Sequence, residues 1–431
     1  MPLSDSVSRH RKVFLFIFLS SFANAAPTPA SLTLKAAYQA AVGRSETLAD
    51  QQEQVVQAEE RIKQARGSIL PNINGVATYF KQDQPDNTVV SSIATNQTIV
   101  RLTGTQPLFR GGREFMALKQ ASTLSDAQES TKRQAELQLF NDVAQNYLTV
   151  AALERDLKNI EQERSYLEKR ISELKSRVQI GRSRNTEVLT LDSSLQSILA
   201  QYSQSLGNLK IARENLAFLT GLPESTPIAG APETIPPSSA DEKTTATTEV
   251  IEARPDVKAA KLKSEAADDA VWVAKGAHLP SVDVSGNYYI RRTGSFDGVD
   301  WDVTFGLTLP IFAGGVTQSL VRTAVSQNRQ GELNLSRTRR AASDELNSLN
   351  YAVASDRDQI EALTRARDSA SRNYEAQTRD YRLGLVTNLD VLQSLTASQE
   401  AQRALDKLRY QIYLDILKLQ TASGKLPDVA Y

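Results

Sequence analysis

The sequence contains one uninterrupted stretch, Arg113 to Ile180, in which 68 consecutive residues include neither glycine nor proline. A continuous helix of that length would measure about 100 Å, several times longer than the helices of ordinary globular domains. Along its second half, apolar residues recur in steps of three, four and seven: Leu153, Leu157, Ile160, Leu167, Ile171, Leu174 and Val178. This spacing predicts a coiled-coil seam on an otherwise polar rod.

The composition argues against catalysis. The 431 residues include no cysteine and only two histidines, His10 and His278, which are too few for a zinc site and exclude disulfides. The sequence lacks the nucleophile-elbow, P-loop and zincin motifs. The formal net charge is zero, and the basic residues are spread along the chain, so we expect no nucleic-acid partner. We expect a protein without enzymatic activity, cofactor or bound metal.

The first 25 residues have the pattern of a secretory signal peptide. Arg9, Arg11 and Lys12 precede the apolar run Val13 to Phe22, and Ala23-Asn24-Ala25 forms a small-residue cleavage site. The apolar run is too short to span a membrane, which disfavours a membrane anchor. We therefore expect the chain to be exported with residues 1–25 removed.

The chain repeats itself. Residues 107–112 (PLFRGG) match residues 310–315 (PIFAGG) at an offset of 203, and the turns at Gly181 and Gly384 match at the same offset. Residues 65–71 match 274–280 at an offset of 209. Chance similarity does not keep one offset over so long a distance, so we predict two copies of one unit. The predicted units span 32–224 and 254–431, joined by a proline- and threonine-rich connector over 225–253.

Both predicted units follow the same plan of ascending helix, β-hairpin, long helix and return helix. In the first unit these elements are predicted over 46–69, 72–106, 113–180 and 186–219. In the second they are predicted over 255–278, 281–309, 316–383 and 388–420. The second long stretch has the same length as the first and contains one glycine, Gly331.

The second hairpin alternates apolar and polar residues over nine or ten positions in each strand. The apolar set is Val282, Val284, Tyr288, Ile290, Trp301, Val303, Phe305 and Leu307. The polar positions between them include Asp283, Asn287, Asp302 and Thr304. This length and pattern are typical of transmembrane β-strands, with the apolar face toward lipid and the polar face lining an aqueous lumen. The other interpretation, soluble hairpins packed on a core, is weaker because isolated hairpins are marginal in water.

Four strands are too few to close a barrel, for which about eight are needed. The chain must therefore share its barrel with other copies. Three chains would supply twelve strands, although two or four chains would also close one. Since the long helices follow directly from the strands, the lumen is expected to continue as a helical tube.

An ordered set of motifs resembles the TolC-like outer-membrane efflux protein family. The set comprises Leu-Pro before each hairpin, P-[LI]-F-x-G-G after it, G-x-x-x-N-x-[DE]-V-L at the turns and Arg254-Pro255-Asp256 at the start of the second unit. The resemblance covers nearly the whole chain after the signal peptide. It implies a homotrimer in the bacterial outer membrane, with a twelve-stranded barrel and a long periplasmic tunnel.

The fold class expected on this basis is mostly α with a small membrane β-barrel contribution. Long antiparallel helical hairpins would form a periplasmic α-barrel, with four transmembrane strands per chain in two internal repeats. The resemblance also implies partners: a periplasmic adaptor and an inner-membrane transporter of the RND, ABC or a similar type. Such ducts export drugs, metals or secreted proteins. The alternatives are a periplasmic adaptor, a coiled-coil structural protein without a channel, and an ordinary porin.

The turns at the far ends of the long helices are the candidate site. Gly181 and Gly384 suit the position after a helix end where the backbone needs a positive φ. Thr387, Asn388 and Asp390 predict a cap that opens the second return helix.

The first turn carries Asn185 and Glu187 at the matching positions, with Arg182 and Arg184 beside them. On one interpretation Glu187 and Asp390 only stabilise helix N-termini. On the other, Asp390 from several copies forms a ring of carboxylates at a narrow pore, which selects and binds cations.

The resembled family implies more detailed roles at the second turn. The position of Asp390 belongs to the pore constriction, with a second acidic residue one helical turn later that is Gln393 here. An aromatic residue at the position of Tyr381 helps to hold the closed state. The arginine that often partners it is replaced by Val386 in this sequence.

Overall fold

The computed structural model describes residues 31–83, 96–230, 247–293 and 297–428. The expected signal peptide, residues 1–25, lies outside the described residues, as does much of the predicted connector. The described part contains eight helices, namely α1 (Leu34–Arg44), α2 (Glu46–Gly67), α3 (Arg113–Gln179), α4 (Asn185–Thr220), α5 (Thr248–Ala253), α6 (Pro255–Gly276), α7 (Val316–Arg382) and α8 (Asn388–Ala422). Its four strands are β1 (Asn72–Lys81), β2 (Asn96–Arg110), β3 (Ser281–Arg292) and β4 (Trp301–Thr308).

Two helices of 67 residues each, α3 and α7, form the frame of the molecule. Both start after a glycine with positive φ, Gly112 or Gly315, because a left-handed residue redirects the chain out of the preceding strand region. Helix α7 continues through Gly331. A Cβ added at Gly331 would lie only 3.2 Å from the Cα of Ser264, so glycine lets α6 pack closely against α7 here. No described helix is long and apolar enough to cross a membrane.

Helix α3 contacts α2 and α6 toward the sheet and α4 and α8 farther along, whereas α7 packs mainly against α6 and α8. The largest buried cluster lies where α1 also joins them. Tyr147 and Phe140 of α3 are almost fully buried there, and the Tyr147 hydroxyl donates a hydrogen bond to the Leu32 carbonyl at 2.9 Å. This cluster joins α3, α4 and α8 through apolar packing that an isolated two-helix rod lacks.

Arg254 of the Arg-Pro-Asp motif ties three helices together. Its guanidinium is buried, pairs with Glu345 of α7 at 2.7 Å, and donates to the Ala422 carbonyl at the end of α8 at 3.0 Å. Pro255 then opens α6, where a missing backbone N–H costs nothing. The motif therefore has a structural role at the base of the second helical hairpin.

The strands form one antiparallel sheet in the order β1-β2-β3-β4. In the β3–β4 register, Val282 faces Leu307, Val284 faces Phe305 and Tyr288 faces Trp301, so the apolar residues of the two strands share one face. Strand β2 joins the two hairpins by pairing with β3. The register of this pair shifts between Val100 and Arg101 and again between Pro107 and Phe109.

Several boundaries differ from those predicted. The first hairpin was expected to end at residue 106, but β2 continues to Arg110. Pro107 still pairs with Asp283, and a register shift that skips Leu108 lets Phe109 pair with Val282. The predicted connector over 225–253 includes a short helix, α5, whose Thr247 cap accepts from the Val250 N–H at 3.4 Å. Helix α1 was not predicted, because its eleven residues contain no strong period.

The mostly helical fold with a small antiparallel sheet is confirmed. The same sequence of helix, two strands, long helix and return helix occurs twice along the described chain. The internal repeats, the barrel and the homotrimer stay predictions.

Candidate functional site

The second turn, between α7 and α8, is built around Gly384. Its φ of 77° ends α7, and the turn is closed by hydrogen bonds from the Gly384 N–H to the Tyr381 carbonyl and from the Leu385 N–H to the Asp380 carbonyl, each of 3.0 Å. Only glycine adopts this conformation without strain.

A capping box opens α8 directly after this turn. The Asp390 N–H donates to the Thr387 hydroxyl at 3.3 Å, and the Thr387 N–H donates to the Asp390 carboxylate at 2.7 Å. The Thr387 hydroxyl and then its backbone N–H hold the pKa of Asp390 below its ordinary value of 3.8, because both hydrogen bonds favour the charged form. Asp390 is therefore ionised and fixed in orientation at neutral pH.

The first turn, between α3 and α4, lacks the capping box that the second turn has. Gly181 has a φ of 73°, but α4 starts at Asn185 without a side-chain cap. Glu187 accepts a hydrogen bond from the Ser183 hydroxyl at 2.9 Å. Asn185 is exposed, whereas its counterpart Asn388 is buried.

Tyr381, three residues before the second glycine, lies against two arginines of α3. The guanidinium carbon of Arg170 lies 3.9 Å from the Tyr381 ring centroid, and that of Arg177 lies 5.0 Å from it. Arg170 also donates from Nε to the Asn388 side-chain oxygen at 3.1 Å and pairs with Glu173 at 3.0 Å. No sequence pattern distinguishes Arg170 from the many other cations on the polar faces of the rod.

An apolar cluster lies beside these contacts and joins both turns. Its buried members come from α3, α4 and α8, with Tyr374 and Tyr381 of α7 packed against them: Leu167, Ile171, Leu174, Val188, Leu191 and Leu395. Gln393 points away from this cluster and is exposed. The structure thus brings Tyr381 and Asn388 together through Arg170, while Asp390, Gln393 and Glu187 lie at the surface or near it.

The sheet has two chemically different faces. Six of the predicted lipid-facing residues are exposed by 52–73%: Tyr288, Ile290, Trp301, Val303, Phe305 and Leu307. Val282 and Val284 are half-buried on the same face.

The other face of the sheet carries a polar network. Asp302 accepts hydrogen bonds from Asn287 at 2.8 Å and from the Tyr289 hydroxyl at 2.7 Å. Arg110 pairs with Asp283 at 2.8 Å. Within the described residues, no three histidine or acidic side chains are grouped so that they could hold a metal ion. The charged and polar groups on this face can attract or repel ions.

Comparison with known proteins gives one consistent result. The model of the outer membrane efflux protein family matches residues 37–222 and 247–425. The chain is 23% identical to outer membrane protein TolC of Vibrio cholerae over 381 residues, which cover 86% of this chain and 85% of that protein. It is also 23% identical to outer membrane efflux protein BepC of Brucella suis, over 85% of this chain and 80% of that protein.

Solved structures show the same fold. The outer membrane protein VceC of Vibrio cholerae superposes with a TM-score of 0.81 at 19% identity, covering 91% of this chain and 96% of that one. The open state of the MtrE outer membrane channel of Neisseria gonorrhoeae superposes with a TM-score of 0.77 at 20% identity, covering 91% and 88%.

Proposed function

The chain belongs to the outer membrane efflux protein family, and on that basis we propose how its two ends make an export duct. It is an outer-membrane protein with a periplasmic tunnel, and it serves as the outer-membrane channel of a tripartite export system. Proteins of this kind work with periplasmic adaptors and inner-membrane transporters. We propose a homotrimer whose transporter is of the RND, ABC or a similar type.

The sheet supports the shared barrel. In the described sheet, β1 and β4 are edge strands with one unpaired side each. Lipid cannot satisfy unpaired backbone groups, so a membrane sheet must close on itself. Four strands per chain close as twelve in a trimer, with the apolar face toward lipid and the Asp302 network toward the lumen.

The capping box supports a gate at the other end. Asp390 is ionised, partly exposed and held in one orientation by Thr387. In a trimer three such carboxylates meet at the narrow end of the tunnel, where a ring of like charges selects cations and is blocked by multivalent ones. Because the next turn carries Gln393 in place of an acid, Asp390 supplies the ring alone. This fixed carboxylate is the observation that carries the proposed gate.

Conductance measurements in planar bilayers test the gate. Asp390→Ala should raise the single-channel conductance and remove block by multivalent cations, because the charge and the narrowing side chain are both lost. Asp390→Asn keeps an acceptor for the Thr387 N–H and should remove the cation block with less structural change. Asp192→Asn removes an exposed carboxylate from α4 and is the matched control. Unchanged conductance and cation block in both Asp390 variants would refute the gate assignment.

Assembly separates the duct from the alternative of a soluble adaptor or structural coiled coil. The duct predicts heat-modifiable migration and cross-linked trimers in the outer-membrane fraction. A soluble periplasmic monomer would overturn the proposed assembly.

A further inference from the structure

We infer that Arg101 and Arg292 form a binding site for carboxylate groups inside the barrel, near the end of the strands that lies farthest from the helices. Each chain supplies one such site, so a trimer holds three. The inference rests on the proposed trimeric barrel and adds a substrate class to it: exported molecules that carry a carboxylate bind these arginines on their way out.

Both arginines lie on the polar face of the sheet. Arg101 of β2 pairs with Tyr289 of β3, and paired residues share a face. Past the register shift between Val100 and Arg101, Arg292 lies on this face as well, because its guanidinium carbon is 4.4 Å from the Tyr289 ring centroid. The Tyr289 hydroxyl belongs to the Asp302 network. In the proposed barrel, this face lines the lumen.

The carboxylate of Asp302 is already satisfied by uncharged donors. One of its oxygens accepts a hydrogen bond from Asn287 and the other accepts one from Tyr289. Asp302 lies within electrostatic range of both arginines. Within the described residues, however, the Nε of Arg101 is buried and donates no hydrogen bond. Because a buried donor without a partner is costly, a carboxylate that arrives from the lumen would remove that cost.

The strands leave an excess of positive charge at this level of the lumen. On the part of the polar face that lies farthest from the helices, the described strands carry Arg101, Arg292 and one acid, Asp302. Nearer the helices, Arg110 and Asp283 pair with each other at 2.8 Å. Each chain of a trimer therefore adds one net positive charge to the same ring, and a ring of positive charge in a pore attracts anions.

The dimensions of the proposed barrel bring a solute close to these side chains. Twelve strands that are spaced about 4.8 Å apart and tilted by about 40° enclose a cylinder roughly 24 Å wide between backbones. Long side chains such as arginine narrow this lumen further. Arginine presents its N–H groups as a planar fork that fits both oxygens of a carboxylate, and the Tyr289 ring orients the plane of Arg292.

Planar-bilayer recordings of reconstituted trimers test the site with citrate, a tricarboxylate. Citrate added on the side of the strand loops should block the wild-type current. Arg101→Gln and Arg292→Gln should each raise the citrate concentration for half-block by about tenfold, since each removes a charged hydrogen-bond donor. Both variants should also shift the reversal potential in a salt gradient toward cation selectivity.

Two further variants separate the fork from the charge. Arg101→Lys keeps the charge and loses the planar fork, so it should preserve the reversal potential and still weaken the citrate block. Asp302→Asn removes the acid from the ring and should strengthen the block.

Arg291→Gln is the matched control. Arg291 is the neighbour of Arg292, is exposed, and pairs with Val100 on the other face of the sheet. Its loss removes the same charge from outside the lumen, so the citrate block and the reversal potential should stay as in the wild type. Trimer migration on semi-native gels checks that each variant assembles.

The outcomes separate this site from the duct itself. If the channel conducts and Asp390 still gives cation block, but citrate does not block or acts equally on wild type, Arg101→Gln and Arg292→Gln, the carboxylate site is refuted and the duct stands. If Arg291→Gln weakens the block as much as Arg292→Gln, the charge acts from anywhere at the mouth and the lumen site is refuted. If the wild type forms no channel, the proposed function itself fails.

Discussion

The two junctions between strands and long helices have matching sequences but different surroundings. At the first, a Cβ added to Gly111 would lie 2.3 Å from the Gly276 carbonyl oxygen at the end of α6. At the second, a Cβ added to Gly314 would meet nothing within 4 Å. The first junction is packed inside the chain, whereas the second lies open.

The matching glycines at the ends of α6 and α2, Gly276 and Gly67, differ in the same way. A Cβ on Gly276 would lie 3.0 Å from the Gly111 carbonyl oxygen, whereas one on Gly67, its counterpart at the end of α2, would meet nothing within 4 Å. Gly67 also lies in a helix, so neither space nor backbone conformation within the chain requires glycine there. In the proposed trimer, the open junction at Gly314 is expected to meet the open end at Gly67 of a neighbouring copy, as Gly111 meets Gly276 within one chain. A head-to-tail contact of this kind is the type that builds a closed ring when the rotation between copies closes.

The largest effect is expected at the closed junction. Gly111→Ala places a methyl group against the Gly276 backbone and forces alanine to a φ of 70°, so it should destabilise the chain by more than about 3 kcal/mol. Gly314→Ala meets no atom and should cost only the left-handed conformation, about 1 to 2 kcal/mol. Thermal unfolding followed by circular dichroism measures both. Equal losses would contradict the difference between the junctions.

A second pair of variants tests whether the open end is an interface. Gly276→Val should damage the chain itself, because its side chain would collide with the Gly111 carbonyl. Gly67→Val should leave the helical content unchanged yet abolish cross-linked trimers, because the crowding occurs only between copies. Cross-linking and heat-modifiable gel migration read this out. Normal trimers from Gly67→Val would place the contact between copies elsewhere.

A smaller effect is expected where the second helical hairpin carries buried charge. Asp356 of α7 and Asp415 of α8 are both buried and hydrogen-bonded to each other, whereas the residues 203 positions earlier are Leu153 and Ala212. Burial first, and then the neighbouring Asp415, raise the pKa of Asp356 from 3.8 to about 6. The folded state therefore holds this proton more tightly than the unfolded chain does.

The sign of the pH dependence follows from this shift. Ionising Asp356 in the folded state costs stability. This loss of stability is absent below pH 3.8, grows as the pH rises toward about 6, and is fully present above that value. Asp356→Asn should therefore raise the free energy of unfolding by about 2 kcal/mol at neutral pH, and the gain should shrink as the pH falls from about 7 to about 4. Asp358→Asn, at an exposed position of the same helix, should show no such trend. Chemical denaturation across this range measures both. A gain independent of pH would contradict the raised pKa of Asp356.

Much of the fold is readable from the sequence because its signals are local. The long helices follow from stretches with little or no glycine or proline, and the turns follow from Gly181 and Gly384, whose positive φ is a backbone requirement. The period-two pattern of β3 and β4 marks their shared apolar face, since register and alternation agree. The capping box at Thr387 and Asp390 is likewise a short-range pattern.

Other features depend on contacts between distant residues. The end of β2 at Arg110 depends on pairing with β3, about 170 positions away, across a register shift between Pro107 and Phe109. The contact of Arg170 with the Tyr381 ring joins residues of different hairpins, and no pattern near Arg170 distinguishes it from the other cations of α3.

The sequence by itself determined the rods, their turns, the strand faces and the family, because periodicity and motif order are properties of neighbouring residues. Only the tertiary structure decided which arginine meets Tyr381, which glycines are already packed and which two carboxylates are buried side by side. Those outcomes depend on how helices far apart in the chain lie beside each other, and side-chain contacts at that range leave no period in the sequence.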